Sequence, residues 1–305
     1  MPADLCSCGG EMKTVSASFA KKCFRKRKKD SHKGENGRAL IVGGSLDYVG
    51  APALAAMAAF ACMRTGIDIV TVIAPEKAGY VINSYSPNII VKKVNGNFFT
   101  TEHAKKISGE SRKADAVLIG NGMGLNPKTV KLVRNVIGKI KVPIVIDADA
   151  IKACKGMRFN WNVIITPHKK EFEIFSDTNV SGKGSIAEIG AMVKKIAAKH
   201  RCVVLLKGRI DVISDGKNVL LNKTGHEAMT AGGTGDVLAG ITAALAAKKN
   251  QLFNSAASAA YLNGKAGEMV AKKKGYSLVA SDLIEELPSI IKKMAGWQGR
   301  LRKRC

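Results

Sequence analysis

Residues 186–206 read IAEIGAMVKKIAAKHRCVVLL, and the change of period inside this stretch decides the fold. Up to residue 196 the apolar side chains Ile186, Ile189, Val193 and Ile196 return at helical spacing, with Lys194, Lys195 and Lys199 turned outward. The run CVVLL (202–206) is then apolar without interruption, as expected of a strand covered on both faces. The same texture extends from residue 38 onward. Near-continuous apolar runs at 39–42, 67–73, 88–94, 116–119, 142–146 and 163–165 alternate with Ala- and Lys-rich helical stretches. Such alternation predicts an α/β fold with a mainly parallel, doubly wound central sheet and helices on both faces. DVISDG (211–216) followed by residues 217–221 reads as a small antiparallel hairpin with its turn at Asp215-Gly216.

At 305 residues, 46% apolar and 24% charged, the chain is long enough to bury a sizeable core, and its composition excludes a disordered protein. No repeat or Pro/Ser-rich linker interrupts residues 38–295. The expected organisation is a basic lead over residues 1–36, lacking apolar anchors and mobile or lightly docked over 1–30, one compact domain over 37–295, and a basic tail over 296–305. A chain starting at Ser31 is expected to fold and keep its turnover. The longest uncharged apolar run, APALAAMAAFACM (51–63), is too short to span a bilayer. With no polar face, it predicts a fully buried helix or one packed on another subunit, and a homo-oligomer is expected. The N-terminus has no apolar signal core, which points to a soluble cytoplasmic protein without a membrane partner. The seven cysteines, an odd number scattered through a large chain, read as reduced thiols rather than a disulfide framework.

Lys and Arg exceed Asp and Glu by 25. Residues 1–38 hold ten basic against four acidic side chains, and residues 292–305 hold six basic and none acidic. Such a field attracts anions, nucleotides among them. The run KKCFRKRKK (21–29) has one aromatic, Phe24, and no stacking platform, so nucleic acid is not an expected partner. Cys6, Cys8, Cys23 and His32 match no standard zinc spacing.

AGGTGDVLAG (231–240), leading into ITAALAA, is the strongest chemical feature. Glycines admit a ligand close to the backbone, and the first turn of the helix that follows presents free N–H groups with the dipole's positive end. That is an anion site. Asp236 in this turn is either a helix-start residue or a base beside a phosphoryl group. The dipole and the basic field are expected to keep it ionised. The loop is neither a Walker A nor a dinucleotide fingerprint. VGGSLDYVGAP (42–52), IGNGMG (119–124), IDADA (146–150), ITPHKKEF (165–172) and Lys207-Gly208 also follow apolar runs, where an open α/β sheet binds its ligands. His168 alone reads as a hydrogen-bonded structural histidine, and Asp147 and Asp149 alone as turn residues. Together, these strand ends read as a site.

These residues carry a resemblance. HKGENGRALIVGGS, YVGAPALAA, DAVLIGNGMG, VIDADAI, ITPHKKEF, LLKGRIDVISDG, NKTG, MTAGGTGDVLAGI and AAYLNGKAGE occur in this order between His32 and Pro288. The series resembles the ADP/ATP-dependent NAD(P)H-hydrate dehydratase family of the ribokinase-like superfamily. The resemblance implies repair of hydrated NADH and NADPH: the ring hydroxyl of the S-epimer is phosphorylated from ADP or ATP, and loss of phosphate restores the dihydronicotinamide. It implies Asp236 as base, with an anion hole of Gly233, Thr234 and Gly235. It implies substrate contacts from Ala51, Gly122, His168 and Asp236, and nucleotide contacts from Lys207, Gly208, Arg209, Ile210, Asp211 and Gly235. Asp147 and Glu171 would hold magnesium through water. A separate NAD(P)H-hydrate epimerase is an implied partner, and no epimerase domain is expected within the 36 residues of the lead. The family usually has GPGLG where this chain has GNGMG (120–124), and commonly a glycine where Lys170 stands. A ribokinase-like kinase of a thiazole or hydroxymethylpyrimidine alcohol would share GGTGD. The ITPHKKEF segment and the HKG entry favour the dehydratase.

Overall fold

The computed structural model describes residues 12–24, 27–46, 51–180 and 184–295. Among them, nine strands form one sheet: β1 (Arg38–Val42), β2 (Ile69–Pro75), β3 (Ile90–Val94), β4 (Ala116–Ile119), β5 (Ile144–Ile146), β6 (Val163–Ile165), β7 (Val203–Leu206), β8 (Asp211–Ser214) and β9 (Val219–Asn222). Their order is β3-β2-β1-β4-β5-β6-β7-β8-β9. Pairing is parallel from β3 through β7 and antiparallel for β8 and β9. The chain builds outward from β1 in one direction, then resumes on its other side at β4. The crevice beyond the carboxyl ends of β1 and β4 is therefore a topological switch point.

Eleven α-helices surround the sheet in the described residues: α1 (Ala17–Lys21), α2 (Ala51–Arg64), α3 (Glu76–Tyr85), α4 (Ala104–Ser111), α5 (Pro127–Ile137), α6 (Asp149–Ala153), α7 (Lys169–Ser176), α8 (Ile186–His200), α9 (Thr234–Ala247), α10 (Leu252–Lys274) and α11 (Ala280–Met294). Successive strand side chains point to opposite faces. In β1, Ala39 and Ile41 join the core under α2, α9, α10 and α11, whereas Leu40 and Val42 join the core under α4 to α8. Two covered faces explain why the strands read as unbroken apolar runs. In α8, Val193, Ile196 and Ala197 are buried while Lys194, Lys195 and Lys199 face solvent, as their spacing requires. A capping box between Ser185 and Glu188 starts that helix.

The apolar helix α2 buries one face within the chain, while Leu54, Met57, Phe60 and Met63 stay partly exposed. Ala58, Ala59, Ala61 and Cys62 are fully buried, and α2 lies directly on α9. A Cβ at Gly240 would come 2.2 Å from the Ala58 carbonyl oxygen, so the two helices meet almost backbone to backbone.

Two expectations need correction. Residues 12–24 are not a loose lead. Val15 N donates to Leu221 O at 2.8 Å and Leu221 N donates to Lys13 O, which fastens the segment to β9. Ala20 and Cys23 enter the core, and Cys23 Sγ lies 3.2 Å from Ser258 Oγ of α10. Three small apolar anchors among many lysines were too sparse to show as a period. Further on, Asp68 accepts from Gly34 N and Asn36 N and pairs with Arg27, which folds the HKGENGR segment against the domain. Second, the hairpin turn spans four residues rather than two. Asp215 Oδ1 accepts from Lys217 N and Asn218 N, a side-chain-closed turn. Residues 1–11, with Cys6 and Cys8, and the tail 296–305 lie outside the described residues.

Candidate active site

The site forms where β4, β5, β6 and β7 end and α9 begins. Gly233 caps α9 at φ 90°, a left-handed conformation that glycine adopts without strain. Thr234 Oγ1 donates to Met229 O and Ala231 O, which pins the turn. The N–H groups of the first turn have no acceptor within the helix and face outward along its axis. Lys207, directly after β7, brings its ammonium to this turn. A Cβ on Gly235 would sit 3.3 Å from Lys207 Nζ. An anion arriving here meets both the helix end and a cation.

Behind that mouth lies a charged network. Asp147, at the end of β5 and 2% exposed, accepts at Oδ1 from Thr166 Oγ1 (2.7 Å) and Lys207 Nζ (3.1 Å), and at Oδ2 from Asn121 Nδ2 (3.0 Å). Asn121 Nδ2 also donates to Asp236 Oδ1 at 2.7 Å. Asp236 is 9% exposed in the first turn of α9. Burial first, then the charge of Asp147, pushes the Asp236 carboxyl up to about 7, against the Asn121 hydrogen bond and the Lys207 charge. Burial thus works against the ionised form expected from the helix dipole and the basic field. For Lys207, burial opposes the charge, but Asp147 and Glu171 prevail and hold the ammonium above its usual range.

His168 and Glu171 form a capping box on α7. The His168 ring accepts from Lys170 N and Glu171 N, and Glu171 Oε2 accepts from His168 N at 2.9 Å. The structural reading of His168 is therefore real, yet its ring remains half-exposed at the cleft. Glu171 Oε2 lies 4.0 Å from Lys207 Nζ, which joins the cap to the network. Asp211 accepts from Gly208 N and Asn222 Nδ2 and so closes the Gly208–Asp211 turn, leaving Arg209 exposed. Burial pushes Asp211 up to about 6. Gly122 lies buried at φ 64° in the loop after β4, and Gly44 N donates to Asn121 O, tying the β1 and β4 loops together. Ala51 opens α2, while residues 47–50 before it lie outside the described ones.

The structure thus gathers Asp147, Glu171, His168, Lys207, Gly235 and Asp236 at one sheet edge. Sequence reasoning did not single out Asn121, Thr166 or the role of Asp149, whose carboxylate anchors Gly124 N at 3.0 Å. A signal was present: Asn121 stands where a proline was expected. The backbone is also committed here. A Cβ on Gly120, at φ 132°, would lie 1.9 Å from Asp147 O, and Ala148 takes a positive φ of 49° between the two aspartates.

Sheet order and site together define a ribokinase-like α/β protein with a buried carboxylate in the first turn of a glycine-led helix. The chain belongs to the NAD(P)H-hydrate dehydratase family, whose model matches residues 39–289. It is 38% identical to the ADP-dependent (S)-NAD(P)H-hydrate dehydratase of Cenarchaeum symbiosum, covering 91% of this chain and 96% of that one. It is 43% identical to the bifunctional NAD(P)H-hydrate repair enzyme Nnr of Pyrobaculum aerophilum over 88% of this chain. The chain spans about half the length of that relative, 53%. The ADP/ATP-dependent NAD(P)H-hydrate dehydratase of Bacillus subtilis, co-crystallized with ATP and Mg2+, superposes with a TM-score of 0.79 at 25% identity, covering 93% and 99% of the two chains.

Proposed function

We propose that this chain dehydrates the S-epimer of hydrated NADH and NADPH at the expense of ADP or ATP. The observation that carries the reading is a buried carboxylate, Asp236, in the first turn of the helix whose N-terminus and Lys207 form the anion site. Donor phosphates rest on the N–H groups of Gly233, Thr234 and Gly235 and on Lys207. The rest of the nucleotide follows Gly208, Arg209 and Ile210, with Asp211 holding the turn. The hydrated ring lies against Ala51, Gly122 and His168.

Asp236 takes the proton of the ring hydroxyl. The hydroxyl oxygen bonds to the terminal phosphorus of the donor, and the bond from that phosphorus to the rest of the nucleotide breaks, releasing AMP from ADP or ADP from ATP. The ring nitrogen then pushes out the phosphate with its C–O bond, and the neighbouring carbon gives up a proton. The balance is hydrated NADH plus ADP to NADH, AMP, phosphate and a proton. A base titrating near neutrality suits such a step. Positioning and charge stabilisation supply most of phosphoryl transfer.

Among the described residues no three His, Cys, Asp or Glu side chains are arranged to hold a metal. Asp147 already binds Thr166, Lys207 and Asn121. This donor set fits a hydrated magnesium carried by the donor phosphates, with Asp147 and Glu171 reaching it through water. When bound, it would neutralise phosphate charge. The reading further includes a catalytic domain over residues 37–295, self-association, a NAD(P)H-hydrate epimerase as partner, and a cytoplasmic setting. Among the described residues no helix is long and apolar enough to cross a membrane.

Phosphorus NMR of the reaction tests the function. Dehydration gives free phosphate beside AMP or ADP and no lasting ester of the ring hydroxyl. A stable phosphate ester of a thiazole or pyrimidine alcohol, with hydrated NADH untouched, would establish the kinase alternative instead.

A further inference from the structure

Asn121 does something no purely structural asparagine needs to do. Its amide nitrogen has two hydrogens, and the two acceptors it meets are the carboxylates of Asp236 and Asp147, at 2.7 and 3.0 Å. Asp147 accepts at Oδ2 and the ionised form of Asp236 accepts at Oδ1, which sets the amide with its nitrogen inward. The opposite atom, Oδ1, is buried without a hydrogen-bond partner among the described residues. Leaving a buried acceptor unpaired is costly, and the side chain bears that cost while spending its whole donor capacity on two carboxyl groups.

The backbone around it leaves no slack. A Cβ on Gly120 would collide with the Asp147 carbonyl, so the loop after β4 and the residue after β5 pack backbone to backbone. Gly44 N donates to Asn121 O, which adds the loop after β1. Asn121 is therefore fixed from below and reaches across to α9. Where the family motif usually carries a proline, stiffening comes from the chain itself; here a side chain joins the loop to the base.

We propose that Asn121 is a positioning residue for phosphoryl transfer: its amide clamps Asp236 and Asp147 at a set separation and so aims Asp236 at the attacking hydroxyl. The clamp rests on the reading of Asp236 as the base. It acts on the alignment of the reacting groups, not on the capture of either substrate. A ligand-independent packing role would lower stability and leave the chemistry of folded molecules alone.

The test is steady-state and single-turnover kinetics of the full chain with hydrated NADH and ADP, for Asn121→Ala, Asp236→Asn and the double variant. Asn121→Ala is expected to lower kcat about 10- to 100-fold with both KM values within about threefold. In the Asp236→Asn background the same substitution is expected to change the residual rate less than about twofold, because there is no base left to aim. Asn121→Asp, which keeps the shape, removes the donor and adds a third carboxylate, is expected to fall at least as far as Asn121→Ala. A folded Asn121→Ala enzyme with kcat within about twofold of the parent overturns the clamp, as does an equal loss in both backgrounds. If Asn121→Ala does not fold, Asn121→Ser carries the same comparison. Failure of the underlying reading is separately visible, as Asp236→Asn alone turning over normally.

Discussion

Replacing Asp236 by asparagine should make the protein more stable and nearly inactive at once. Asp236 is buried, and its carboxyl titrates near 7 instead of the ordinary 3.8. A carboxyl raised in this way binds its proton more tightly folded than unfolded. Its burden on stability is absent below the unfolded value, grows as pH rises through the window from about 4 to 7, and is complete above it. The rise from 3.8 to about 7 converts to a ceiling of roughly 4 kcal/mol withheld at about pH 8. Asparagine keeps the shape and an oxygen for the Asn121 amide, and it carries no charge. Thermal and urea unfolding without nucleotide or magnesium should therefore show a gain of about 2–4 kcal/mol at pH 8, shrinking toward zero near pH 4. Turnover should fall about 10²–10⁴-fold while nucleotide binding survives, the usual loss for a positioned base. A helix-start role predicts the reverse pattern: about 1 kcal/mol less stability and ordinary turnover. A variant that is less stable and catalytically normal would refute the reasoning.

Gly235→Val should weaken ADP binding about tenfold or more, read by calorimetry, because its side chain would enter the 3.3 Å gap before Lys207 Nζ; the unliganded melting temperature should barely move. Gly120→Ala should cost about 3 kcal/mol or more in urea unfolding, since its Cβ would overlap the Asp147 carbonyl at a left-handed φ. Deleting residues 1–30 strips the docked anchors Val15, Ala20 and Cys23 from the core, and should cost about 3 kcal/mol or more of stability; an unchanged melting temperature would show that the docking contributes nothing.

The sheet was legible because burial on both faces writes itself as unbroken apolar runs. Residues 116–119 and 163–165 coincide with β4 and β6, and the helical spacing from Ile186 coincides with the start of α8. Ends were less legible: α8 continues to His200, where a left-handed Arg201 stops it rather than any break in hydrophobicity. Motif residues were legible where chemistry demands an unusual type, such as a carboxylate in a glycine-rich helix start. What escaped was pairing. Nothing near Asn121 in the sequence announces partners 26 and 115 residues away, and the anchoring of residues 13–15 to Leu221 is equally non-local. The acidity of Asp236 escaped for a related reason: a dipole can be read from the helix start, whereas desolvation depends on everything packed around it.

Incubating the purified full chain with enzymatically or acid-hydrated NADH, magnesium and either ADP or ATP, and following recovered dihydronicotinamide against nucleotide consumed, tests the central claim most directly. The account predicts recovery of NADH from the S-epimer, one molecule for each AMP released from ADP or ADP released from ATP, and none with Asp236→Asn on the same timescale. No recovery with either donor, or recovery that proceeds without any nucleotide, would contradict it.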